Sequence, residues 1–111
     1  MSKREPKLLI EDIIDSGKKI LEYTHNLAFE EFEEDGKTID AVIRNFEIIG
    51  EAANRLPEEY KENYPEIDWH RIRGFRNRIV HDYFGIDLAI VWEIRNSFLP
   101  PLITKLEKLI L

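Results

Sequence analysis

Apolar residues recur at helical spacing along almost the entire chain, and this single feature constrains the fold most. Leu9, Ile10, Ile13, Ile14, Gly17, Ile20, Leu21, Thr24 and Leu27 follow i, i+3, i+4, i+7 steps after Pro6, a residue suited to a first helical turn. A short acidic helix over about 28–34 follows, closed by Asp35-Gly36. A third helix starts near Thr38 and buries Ile39, Val42, Ile43, Phe46, Ile49, Ala53 and Leu56. Pro57 ends it or restarts it as a short piece through Tyr64, which Pro65 closes. Asp68 is the expected N-cap of a helix carrying Ile72, Phe75 and Ile79, with Gly85 as its stop. Asp87 caps the last helix, which holds Leu88, Val91, Trp92, Ile94 and Phe98. Pro100-Pro101 is expected to kink or break that helix before Leu102, Ile103, Leu106, Leu109 and Ile110 continue its stripe.

No strand pattern of useful length appears. The expected product is an all-α antiparallel helical bundle with short connections, one domain over residues 1–111. Ile90, Ile94, Ile103 and Leu111 are left over once the main stripe of the last helix is assigned. That surplus points to a second copy as partner, against the plainer reading of a deeply buried C-terminal helix.

Composition narrows the chemistry. With no cysteine, thiolate zinc sites, thiol nucleophiles and disulfides are excluded. The polar start, Met1 to Pro6, and the shortness of every apolar run lead us to expect a cytoplasmic protein with no membrane segment. The net charge of −6 rules out a global basic footprint, so any nucleic-acid site must be local. The charge is in fact segregated. Residues 29–40 carry six acids against Lys37, whereas residues 71–78 carry Arg71, Arg73, Arg76 and Arg78 with no acid.

The histidines His25, His70 and His81 lack ligand spacing: no H-E-x-x-H is present, and no metal site or other cofactor is expected. The glycines stand singly, so no phosphate loop exists, and the serines lack a nucleophile-elbow context. One segment stands out, running from Arg71 through Arg73, Gly74, Phe75, Arg76, Asn77, Arg78, Ile79 and His81 to Tyr83. On an ideal helix, at ~100° per residue, Arg73, Arg76 and Tyr83 share an edge. Arg76 and His81 fall ~140° apart, so an arginine must reach around or the helix must loosen near His81. Arginine grips phosphate bidentately, and histidine exchanges protons near neutrality. Together they suffice to activate a ribose 2′-OH and to stabilise charge growing on phosphate, a chemistry selective for RNA. The residues alone leave this reading and a merely solvated basic face equally open.

This segment resembles the HEPN superfamily, and more closely its HepT-like toxin family, whose mark is R-x4–6-H. The HepT branch carries R-x4-H-x-Y, matched here by Arg76, His81 and Tyr83, with Asn77 directly after the arginine. Ile48-Ile49-Gly50-Glu51-Ala52, Trp69, Gly74-Phe75-Arg76-Asn77 and Val91-Trp92-Glu93-Ile94 extend the likeness over nearly the whole chain. The resemblance implies a helical homodimer whose two motifs meet in one cleft, so that Arg76 of one chain could work with His81 of the other. It implies a metal-independent endoribonuclease toxin, with Arg76 and His81 catalytic and Asn77, Arg73 and Arg78 as supporting or phosphate-binding residues. It implies a partner as well: a nucleotidyltransferase antitoxin that transfers AMP to Tyr83. Pro100-Pro101 departs from the family pattern, where a single proline is commoner. The alternative is a non-catalytic HEPN module that binds nucleotide or scaffolds a nucleotidyltransferase. A structural bundle with no site is a third, plainer class.

Overall fold

The computed structural model describes residues 4–81 and 85–111, the side chains of Val80 and His81 excepted. Its elements are α1 (Pro6–Tyr23), α2 (Phe29–Glu33), α3 (Gly36–Arg55), α4 (Glu58–Glu62), α5 (Trp69–Arg73) and α6 (Phe75–Ile79). A two-residue hairpin follows, β1 (Val80–His81) with β2 (Gly85–Ile86), then α7 (Leu88–Glu93), a π-helical turn (Ile94–Phe98) and α8 (Leu99–Leu109). The fold is the expected all-α bundle. Among the described residues, no helix is long and apolar enough to cross a membrane.

The two long amphipathic helices do what their periodicity dictates. Leu9, Ile10, Ile13, Ile14 and Ile20 of α1 are buried, and so are Val42, Ile43, Phe46, Ile49 and Ala53 of α3. α3 begins two residues earlier than its apolar pattern suggests, because Asp35 acts as its N-cap rather than closing α2. The Asp35 carboxylate accepts from the Thr38 amide at 3.1 Å and from the Thr38 hydroxyl at 2.7 Å. Those two bonds, the hydroxyl's first, hold the carboxyl below its ordinary pKa.

α1 packs antiparallel to both α3 and the C-terminal helix. Its first turns share a cavity wall with the second half of α3. Gly17 lies against Ile103 and Leu99, and Lys18 pairs with Glu107 at 3.0 Å. At the other end of α1, Arg95 Nε donates to the buried Thr24 hydroxyl at 2.8 Å, and that hydroxyl donates to Ile20 O. A cation at the last turn of α1 also suits the helix dipole.

Two expectations about the C-terminal helix are corrected. Pro100-Pro101 does not break it. The prolines occupy the first turn of α8, and their missing N–H groups would have served Asn96 and Ser97 in an unbroken α-helix. The chain widens there instead: the Leu99 amide bonds Ile94 O, five residues back. The surplus apolar residues are largely absorbed within the chain itself. Ile94 and Ile103 are buried, Ile90 is half-buried, and Leu111 is exposed. The apolar surplus therefore no longer argues for a second copy.

Candidate active site

The segment from Asp68 is not one helix. Asp68 caps α5 by accepting from the Arg71 amide at 3.0 Å. Gly74 then makes a joint whose Cα sits so close to the preceding turn that an added Cβ would lie 3.3 Å from His70 O. α6 follows and stops at Ile79, where the backbone enters the hairpin. Val80 pairs with Ile86 and His81 with Gly85, whose φ of +80° suits glycine. Gly85 is thus a hairpin residue and not a helix stop, whereas Asp87 does cap α7, accepting from the Ile90 amide at 3.2 Å. The helix loosens before His81, which was one of the two ways expected to reconcile Arg76 with His81. The helical phase used to place Tyr83 does not extend past Ile79, and Tyr83 lies outside the described residues.

Aromatic packing sets the position of this short helix. Phe75 is fully buried between Phe46 of α3 and Phe98 of the π-helical turn, edge-on to both, with ring centroids 5.5 and 5.4 Å away. The Arg71 guanidinium stacks over the Phe98 ring at 4.4 Å. Arg71 is thereby committed to packing. With Phe75, Ile72 and Ile79 turned inward, the opposite edge of α5 and α6 faces out.

That edge lines a cleft of about 650 Å³ between α1, α3 and the motif helices. Arg73 and Arg76, two of the three residues expected on one edge, line it together with Asn77. Arg78 is half-buried and does not line it. None of these four side chains makes a hydrogen bond or ion pair among the described residues. The backbone of His81 directly follows this wall, and its side chain lies outside the described residues.

The far wall of the cleft was not foreseen. Arg44, Glu47, Glu51 and Arg55 line it from α3, with Arg4 from just ahead of α1 and Asp12 from α1 itself. The α3 residues fall at i, i+3, i+7 and i+11, one stripe within about 80° of arc at ~100° per residue. That spacing was available as a signal. What linked it to Arg76 is the docking of α3 on α5, where the added Cβ of Gly50 would lie only 3.7 Å from Arg73 O. His70 instead lines a smaller hollow of about 270 Å³ with Lys61, Trp69 and Arg73, and His25 is exposed. Among the described residues, no three histidine or carboxylate side chains come together to hold a metal ion.

Comparison with known proteins places this arrangement. The sequence pattern of the family described as "Ribonuclease HepT-like" matches residues 13–109, which takes in residues 76–83 and all the helices but the first two turns of α1. The chain belongs to the HepT-like ribonuclease family. It is 41% identical over 107 residues to the "Probable ribonuclease HepT" of Thermococcus cleftensis, covering 96% of this chain and 97% of that one. It is 37% identical over 110 residues to the "Putative RNase MJ0127" of Methanocaldococcus jannaschii, covering 99% and 91% respectively. No solved structure matches the chain.

Proposed function

We propose that the chain is a metal-independent endoribonuclease toxin that works as a homodimer, with Arg76 and His81 as its reacting pair. One observation carries the reading: Arg76, Arg73 and Asn77, with no side-chain partner among the described residues, line a cleft big enough for a nucleotide, one short segment before His81. In this reading His81 takes the proton from a ribose 2′-OH. The 2′ oxygen attacks the adjacent phosphorus and the bond to the 5′ oxygen breaks, leaving a 2′,3′-cyclic phosphate and, once protonated, a 5′-hydroxyl. Arg76 stabilises the charge that grows on the phosphate oxygens, as a guanidinium does by forked hydrogen bonding. Asn77 orients the same group, and Arg73 and Arg78 add positive charge.

Family membership supports the dimer, in which the His81 that completes the site can come from the second copy. The test is cleavage of single-stranded RNA in EDTA, with sedimentation at micromolar concentration on the same sample. A dimer that leaves 2′,3′-cyclic ends supports the reading. A fully active monomer removes the shared site, and cleavage abolished by EDTA removes metal independence.

The same reading makes Tyr83 the point of control. A nucleotidyltransferase antitoxin would move AMP from ATP onto the phenol oxygen, releasing pyrophosphate. The new phosphodiester would then compete with RNA for the arginines. Tyr83→Phe is expected to stay toxic to some degree and to resist neutralisation. Mass spectrometry of protein co-expressed with the transferase decides it: silenced toxicity with no AMP on Tyr83 would mean inhibition by simple complex formation.

A further inference from the structure

The chain has eight arginines and eight lysines, yet the described residues that line the cleft include five arginines and no lysine. Only Arg73 and Arg76 belong to the motif segment. The other three are Arg4, just ahead of α1, and Arg44 and Arg55 of α3, up to 72 residues away in sequence. A solvated surface takes either cation. A site that must hold phosphate takes arginine, whose planar fork matches two phosphate oxygens where an ammonium offers a point charge.

The far wall is organised. Arg44 and Arg55 stand eleven residues apart on one stripe of α3, about 16 Å along its axis. They bracket Glu47 and Glu51. Arg55 is held by Glu51 at 3.0 Å, and Arg4 grips Asp12 at 2.8 and 3.0 Å. Arg44 has no ion pair among the described residues. The two existing pairs are largely exposed, with side-chain exposures of 57% and 61% for one and 45% and 33% for the other. The single-contact Arg55–Glu51 pair contributes little to stability and is weakened by salt, whereas the bidentate Arg4–Asp12 pair is the stronger of the two. Both keep a guanidinium extended at the cleft, where a phosphate competes with the carboxylate for it.

We propose that the α1/α3 wall is a second phosphate-binding wall, on which Arg44, Arg4 and Arg55 take the phosphates flanking the one to be cleaved. The ligand class is single-stranded RNA longer than a dinucleotide. This rests on the ribonuclease reading and deepens it: the motif wall holds the reacting phosphate, and the opposite wall holds the strand.

The test uses a ten-nucleotide single-stranded RNA and a dinucleoside monophosphate, which has no flanking phosphate. Arg44→Gln is expected to lower kcat/KM on the ten-mer about tenfold and leave the dinucleotide unchanged. Fluorescence anisotropy on the labelled ten-mer should show the salt dependence of binding fall by ~0.7 in log–log slope for Arg44→Gln, and by about twice that for Arg4→Ala/Arg55→Ala. Arg44→Lys should keep the slope while losing part of the affinity, which separates lost charge from a damaged fold. Wild-type slope in both variants, or an equal loss on both substrates, overturns the second wall and leaves the ribonuclease reading standing. Failure of the wild type to cleave either RNA sinks that reading instead, and the binding slopes still judge the wall.

Discussion

Arg76→Ala and His81→Ala are each expected to lower RNA cleavage by ~10²–10⁴-fold, the range that positioned proton transfer and charge stabilisation supply. The fold should hardly notice Arg76→Ala. Arg76 is exposed and makes no hydrogen bond or ion pair among the described residues, so its loss should change stability by within about 0.5 kcal/mol. The measurement is single-turnover cleavage of a labelled RNA, with denaturation midpoints taken on the same preparations. If either variant keeps near-wild-type cleavage, it is not part of the reacting pair. Double substitution adds information: residues acting on one transition state are strongly non-additive, so Arg76→Ala/His81→Ala should be little worse than the poorer single variant.

Phe75→Ala should have the largest effect on stability, about 3–5 kcal/mol for a fully buried phenylalanine. Phe75 is the ring through which α6 rests on both α3 and the π-helical turn. Truncation leaves a void between Phe46 and Phe98 that neither backbone can close without moving. A domain of this size is stable by only about 5–15 kcal/mol, so the urea midpoint should fall by about a fifth or more while the slope stays constant. Activity should drop too, since Arg76 follows Phe75 directly and moves with it. A loss under 1 kcal/mol would mean that α6 is positioned by something other than this stack. Arg71→Ala is a milder probe of the same joint, removing the guanidinium that stacks over the Phe98 ring at 4.4 Å.

The errors of the sequence reading have physical causes. Pro100-Pro101 predicted a kink or break because the residue before a proline avoids the α region. Leu99 nonetheless keeps helical angles, φ −65° and ψ −47°, after the widened turn Ile94–Phe98, and Ile94, Leu99, Leu102 and Ile103 are buried. Ile94 and Ile103 looked like surplus because a helix pattern shows one face at a time. The C-terminal helix lies against α1, and Gly17 lets Ile103 approach so closely that an added Cβ would sit 3.0 Å from its Cδ1. The phase drawn from Arg76 to His81 assumed a continuous helix, which ends at Ile79.

Sequence by itself determined the helical class, the buried stripes of α1 and α3, the caps at Asp68 and Asp87, and the R-x4-H-x-Y motif. All of these are local, written in spacings of seven residues or fewer, where a periodicity or a cap needs no knowledge of what packs opposite. Only the tertiary structure decided that Arg4, Arg44 and Arg55 share a cleft with Arg73 and Arg76. It decided equally that Arg71 is spent on Phe98, that Arg78 does not line the cleft, and that the hairpin interrupts the helix before His81. These depend on which helix faces meet. That choice is made by buried rings and close approaches, Phe75 between Phe46 and Phe98 and Gly50 beside Arg73 O, between residues distant in sequence that no window along the chain brings together.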